Sequence, residues 1–481
     1  MIINKETILP LVTYEGALPT FWEEVKQLAT PHINENAIKR LRAVLDHRVK
    51  TVAVERHYID KDYRDTFSNY HSKRFATPDS RCIRLHFFGK ICRPDELRKP
   101  AIANKHYIGY SIMRPTRPNA LGRTLLNPDG IILDGAQICT TREHVNLLGC
   151  DLTVSGFPFI SQDADVTVCA QSALWMILRY FSDRYPSYAE AAPYQIGQLT
   201  SDYTLGRLYP SSGLTMWQMA EALRLSGFHP LTYYREYTDD FEHLLYTYIE
   251  SGIPCLIGLE GHVIVAYGHR SNFEGNPTPD KDKSIVFSSY FNNSFIVSDD
   301  NEFPYQPLMR QGGTPPASQY KFSDIDSFVV PLPEKVFLTA EDVQKLTMQI
   351  FDRHRHLWDT FSSTQLVART FLTTVRSFKR RIGEREMGNK DVENIYRNLP
   401  LPHFIWVTEF GLLDEYPNFV RGEIIWDATR NGHELVGWIA LHAPEYLIID
   451  IGSAFNGPQK IDKRALKDSG KYPLFVSNLS K

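Results

Sequence analysis

Cys169, His262 and Asp299 are the residues whose types, order and surroundings fit one reaction. Cys169 stands directly ahead of Ala170-Gln171-Ser172-Ala173-Leu174-Trp175-Met176-Ile177-Leu178-Arg179-Tyr180-Phe181, a run patterned as a helix. A cysteine at a helix start meets unpaired amides and the positive end of the helix dipole, and both favour thiolate over thiol. His262 opens the strand-like Val263-Ile264-Val265-Ala266-Tyr267, and Asp299 ends the strand-like Ser294-Phe295-Ile296-Val297. Within hydrogen-bond reach, a histidine holds the thiolate as an ion pair and later protonates a leaving group. A carboxylate leaving the neighbouring strand can fix the ring. The expected chemistry is that of a cysteine nucleophile with a histidine base and an acidic orienter.

Asp300 and Asn301 stand beside Asp299 as further candidates to orient the ring. His269, seven residues beyond His262, reads as a solvent-facing strand end, and Gln171 as a surface or capping contact in the first helical turn. Cys255, inside Pro254-Cys255-Leu256-Ile257, reads as core, because lone cysteines among apolar neighbours usually pack. Cys82 and Cys92 flank His86 without standard zinc spacing, so no metal is expected there.

The elements that must gather these residues are legible in outline. A helix is expected over about 34–50, capped by Asn34 or Asn36, with Ile38, Leu41, Val44 and Leu45 at helical spacing. Strands are expected at 82–88 and 107–113, the second ended by Arg114-Pro115-Thr116-Arg117-Pro118. Arg114, Arg117 and Arg123 could attract an anion, but no motif specifies one. Thr215 caps a helix that ends at Gly227, a second helix runs from Phe241 to Ile249, and Cys255-Leu256-Ile257-Gly258-Leu259 has the composition of a buried strand. The segment 271–283 reads as a connection between strands, and the Gly- and Pro-rich 311–318 as a loop able to border a cleft. Thr339 and Asp342 start another helix. Leu366, Val367, Thr370, Phe371, Thr374, Val375 and Phe378 then mark one face of a long helix, continued by the basic, solvated cluster Arg376, Lys379, Arg380, Arg381 and Arg385. Strands at 404–407, 423–426 and 436–440 each bring one tryptophan, Trp406, Trp426 and Trp438, to a C-terminal core.

Helices followed by an antiparallel sheet make the middle of the chain α+β. The length of 481 residues favours two or three domains, drawn at 1–150, 151–330 and 331–481, with mixed α/β flanks of unassigned role. A net charge of −3 supplies no field for nucleic acid or an anionic membrane surface. No run approaches the roughly 20 apolar residues of a membrane helix, and the opening Met1-Ile2-Ile3-Asn4-Lys5-Glu6 has no secretory pattern. Six cysteines without tight spacing fit reduced thiols in a cytoplasmic protein.

The middle third resembles the papain-like cysteine peptidases, and most the bacteriocin-leader peptidase branch. That branch carries a glutamine before a Cys-Gly-Pro-Ala-type helix start, then a Gly-His strand, then Asp-Pro at the end of the next strand. The corresponding residues here are Gln162, Cys169-Ala170-Gln171-Ser172-Ala173, Gly261-His262 with Val263-Ile264-Val265, and Asp299-Asp300, within about 155–305. The resemblance implies a papain-like core and a thiol peptidase acting on a protein or peptide substrate. In it Cys169 attacks, His262 serves as acid and base, Asp299 orients the ring and Gln162 lends its amide to an oxyanion hole. No cofactor is implied, and the long flanks leave room for a regulatory protein partner. Ala170-Gln171 replaces Gly-Pro, and Gln162 lies one residue further from the cysteine than the pattern has it. Two rivals stand beside this expectation. A deamidase, transglutaminase-like enzyme or acyltransferase shares the first covalent step, and a catalytically silent relative would bind an extended peptide in the cleft.

Overall fold

The computed structural model describes residues 11–13, 18–30, 35–116, 121–132, 134–203, 207–273, 285–313, 317–361, 364–430, 437–450, 461–466, 470–475 and 478–479. The readings at the opening six residues, Asn34, Arg117, Pro118, 274–283, Thr314 to Pro316 and Val436 lie outside these. The described residues form α+β structure, with helices and mainly antiparallel sheets. Contacts divide the chain into two compact units. One comprises Met1–Glu236, Pro254–Tyr267 and Phe295–Pro331; the other comprises Tyr237–Ile253, Gly268–Ser294 and Leu332–Lys481. No seam falls at residue 150, so the N-terminal segment shares a unit with Cys169.

In the first unit, Leu11–Thr13, Thr51–Tyr58, Cys82–Phe88, Tyr107–Met113 and Leu121–Leu126 form a five-stranded antiparallel meander. The strand-like runs anticipated from sequence at 82–88 and 107–113 are strands with those bounds, and every residue in them is buried. Helix Glu35–Leu45 buries Ile38, Leu41 and Leu45 of the stripe read from its sequence, with Ala37 besides, while Val44 is half-buried. Arg40 is buried on the same helix.

A further sheet carries the residues singled out above, with strand order Gln306–Met309, Asn292–Ser298, His262–Ser271, Cys255–Leu259, Ser327–Pro333, Phe228–Tyr234. Cys255–Leu259 and the start of the His262 strand form a tight antiparallel hairpin in which Leu259 faces His262 and Ile257 faces Ile264. The loop is Glu260 and Gly261. Gly261 adopts φ +68°, a left-handed value that glycine takes without steric cost. Reversing the chain in two residues puts His262 at the first rung of the strand.

Helix Cys169–Arg184 buries every residue from Ala170 to Phe181. A helix buried on all sides has no solvated face to offer and belongs in a core. Thr215 caps helix Met216–Leu225 by accepting from the Gln218 amide, and Gly227 follows that helix at φ +92°.

The second unit is built on the strands Ile285–Phe287, Leu366–Thr374, Phe404–Leu412, Gly422–Asp427, Trp438–Ala443, Tyr446–Asp450 and Ile461–Ala465. Trp406, Trp426 and Trp438 occupy consecutive rungs and are buried, as their one-per-strand spacing predicts. The long helix expected over 366–378 is not present. Leu366–Thr374 is a strand, and only Val375–Ile382 is helical, capped by the Thr374 hydroxyl. The strand is buried on both faces, so its apolar residues run on rather than alternate, and such a run imitates a helix stripe.

His269 and Arg385 are also corrected. Both are buried, and both belong to an ionic network inside this unit. Glu250 bonds His269 and Arg369; Arg369 reaches Glu409; Arg385 joins Glu409 to Glu423. Buried charges survive only when paired in this way.

Candidate active site

Cys169 is the first residue of its helix, after Val168 in extended conformation at the cap. Val168 has no side-chain acceptor, so the first-turn amides at 169–171 are left for another partner. Asp163 shapes the approach. Its Oδ1 accepts the amides of Asp165, Val166 and Thr167 at 3.0, 2.8 and 2.8 Å, and its Oδ2 accepts the Thr167 hydroxyl at 3.2 Å. Ala164 is held at φ +63°, unfavourable for a residue with a Cβ. Arg114 Nη1 lies 3.7 Å from Asp163 Oδ2, and Arg114 Nη2 donates to the Ser161 and Leu121 carbonyls. Both side chains are buried. The arginine proposed as an anion attractor is therefore occupied inside the fold, as is Arg123, which bonds Asp62 and Glu143.

His262 Nε2 is 2.9 Å from Asp299 Oδ1 and 3.7 Å from Asp300 Oδ1. The ring is also hydrogen-bonded to the Cys169 side chain. Burial works against charge on His262, but the bonds to Asp299 and Cys169 and the charges of Asp299 and Asp300 prevail, raising its pKa to about 10. Asp299 Oδ1 also accepts the Asn301 amide at 2.9 Å, which locks the turn after its strand. Among the three orienter candidates, Asp299 makes the bond to the ring.

Asp300 is nearly inaccessible, at 2% exposure, and no donor from another described residue reaches either of its oxygens. Burial and the charge of Asp299 push its carboxyl up to about 7, against the pull of His262 and Arg40. Gln162 donates its side-chain NH₂ to Asn301 Oδ1. An amide nitrogen has two hydrogens, so this bond leaves one donor of Gln162 available. Gln171 is buried and bonds Ser211 at 2.9 Å, which corrects its reading as a surface residue.

Two contributors escaped the sequence reading. Arg40, from the N-terminal helix, is buried and faces the charges of Glu302, Asp300 and Asp299. Tyr320 places its ring 6.3 Å from that of His262. Neither belongs to a local motif; only the fold brings them here. The other cysteines differ from Cys169 in being buried, and burial raises the thiol pKa of Cys255 and Cys82 far above the ordinary range. His86 gives its ring nitrogens to Tyr107 and Glu55.

In comparisons with known proteins, no family model matches the chain, and neither a curated protein nor a solved structure matches it significantly. No helix among the described residues is long and apolar enough to cross a membrane.

Proposed function

We propose that the chain is a cysteine-nucleophile hydrolase with a papain-like catalytic core, cleaving a peptide or isopeptide bond in a protein substrate. One observation carries the reading: a half-buried thiol at a helix N-terminus interacts with a histidine whose Nε2 is 2.9 Å from a carboxylate. A helix that begins with the nucleophile, with the base and orienter on adjacent strands of a sheet, supports the papain-like assignment.

In this mechanism His262, holding the Cys169 proton, leaves a thiolate to attack the substrate carbonyl. The C–S bond forms as the carbonyl π pair moves onto oxygen. The oxyanion is met by the Cys169 amide and the second amide hydrogen of Gln162, donors already oriented before reaction. The C–N bond then breaks, and His262 delivers its proton to the departing amine. Water, deprotonated by the now neutral His262, attacks the thioester carbonyl; the C–S bond breaks, the carboxylic acid product leaves, and the thiolate beside protonated His262 is restored. Asp299 keeps the ring in the orientation that both transfers need.

Residue-resolved alkylation across pH tests this. Cys169 should label fastest of the six cysteines below neutral pH, and His262→Ala should remove that advantage. A peptide-aldehyde or acyl probe should then form an adduct on Cys169 alone. Labelling of Cys169 no faster than Cys255 would sink the reading. Backbone fragments mark a peptidase, whereas a mass change of about one dalton on an intact substrate marks a deamidase sharing the same acyl-enzyme.

A further inference from the structure

We propose that His262, Asp299 and Asp300 form a binding site for a zinc-like divalent cation, seated where the Nε2 proton lies. The inference does not require Cys169 to be a catalyst. One ligand atom from each residue can be chosen so that all three lie within 4.8 Å of one another. Nε2 stands 2.9 Å from one carboxylate and 3.7 Å from the other. Ligand atoms about 2.0–2.1 Å from a tetrahedral zinc are about 3.3 Å apart, so the two separations bracket the required one.

Asp300 supplies the independent observation. A fully buried carboxylate normally collects hydrogen bonds, and one without them is costly. Asp300 has none from another described residue, yet its Oδ1 faces His262. Asp299 alone suffices to orient a ring, so catalysis leaves Asp300 without a task. As a metal ligand it has one. Asp299, Asp300 and Glu302 bring three carboxylates together around this place, against Arg40. Imidazole with two carboxylates suits zinc better than magnesium, which prefers an all-oxygen octahedron. The bonds made are Nε2–Zn and two carboxylate O–Zn, and the Nε2 proton leaves to solvent. Cys169 is not among the three ligand residues.

Zinc binding to the full chain, measured by titration against a chromophoric chelator, tests the site. One zinc per chain is expected, weakened on the order of a hundredfold in Asp300→Asn and unaffected in Cys169→Ala, with magnesium failing to compete. Zinc-edge X-ray absorption on the unsubstituted protein keeps the test independent of how the variants fold. Only nitrogen and oxygen neighbours near 2.0–2.1 Å are expected. Sulfur at about 2.3 Å, loss of binding in Cys169→Ala, or no saturable uptake would each overturn the proposal. Because Cys169 alkylation without zinc reports on the thiol reading separately, the two can fail independently.

Discussion

His262 Nε2 and Asp299 Oδ1, 2.9 Å apart, join the first residue of one strand to the residue just beyond the end of the next. The bond ties the site's protonation to the fold's stability. In the unfolded chain a histidine titrates near 6.5; here burial is outweighed by the bonds to Asp299 and Cys169, and the pKa rises to about 10. A raised folded pKa means that its stabilisation is complete below about 6.5 and is lost as pH climbs through about 10. The difference in unfolding free energy between the unsubstituted protein and His262→Gln should therefore shrink across that window. Denaturant melts at several pH values measure it; a constant difference would contradict the pair.

The orienter should tolerate an amide better than its removal. In Asp299→Asn the side-chain oxygen can still accept from Nε2, as in the Cys-His-Asn arrangement of papain-like enzymes. Low-pH alkylation of Cys169 should largely survive, while the alkaline limit of the ion pair moves down because a charge favouring imidazolium is gone. Asp299→Ala should lose that reactivity on the order of a hundredfold or more. The pH profile of labelling separates the two, and equal losses would show that the carboxylate does not orient the ring.

Asp163 should prove as necessary to Cys169 as its sequence position is unassuming. Asp163→Ala strips an acceptor from three amides and the Thr167 hydroxyl, and leaves Arg114 without its carboxylate. The expected loss is about 3 kcal/mol of stability, together with slower low-pH labelling of Cys169. Asp163→Asn retains an oxygen and should recover part of both. Labelling unchanged in Asp163→Ala would show that the 163–167 turn does not position Cys169.

In the second unit, Glu250 is held ionised down to about 2: burial opposes this, but Arg369 and His269 outweigh it. A depressed carboxyl contributes stability that is complete above its unfolded value, roughly 4.5, and fades as pH falls toward 2. Arg369→Met would leave Glu250 and Glu409 buried without their shared cation. We expect about 3–5 kcal/mol of destabilisation at neutral pH, shrinking in acid. Chemical denaturation at neutral and acidic pH reads both effects.

The contrast between what sequence displays and what it conceals follows from range. Runs 82–88 and 107–113 announce themselves because β-branched and aromatic residues fill them and both faces are buried. Cys169 at a helix start, His262 after a Gly turn and Asp299 after a strand each have a local signature, so the three could be named before their contact was visible. At 366–374 the local signal misled, because burial on both faces removes the alternation that distinguishes strand from helix. His269, Gln171 and Arg385 were misread for another reason: a polar residue is buried only if it finds a partner, and Glu250, Ser211 and Glu423 lie far off in sequence. Arg40 and Arg114 reach the site from the N-terminal segment, where no spacing relates them to Cys169.

The helix that starts at Cys169 does not end its dependencies there. Ten residues on, buried Arg179 reaches Asp62, which also holds Arg123. Asp62 belongs to a helix laid down more than a hundred residues before the cysteine. The stretch that looks like a self-sufficient peptidase is thus no portable cassette. Grafted elsewhere or expressed alone, it would bury Asp163 without the Arg114 guanidinium, and its Arg179 would keep Asp183 and Glu190 but lose Asp62. Recombination could shuffle this chemistry only by moving both segments together.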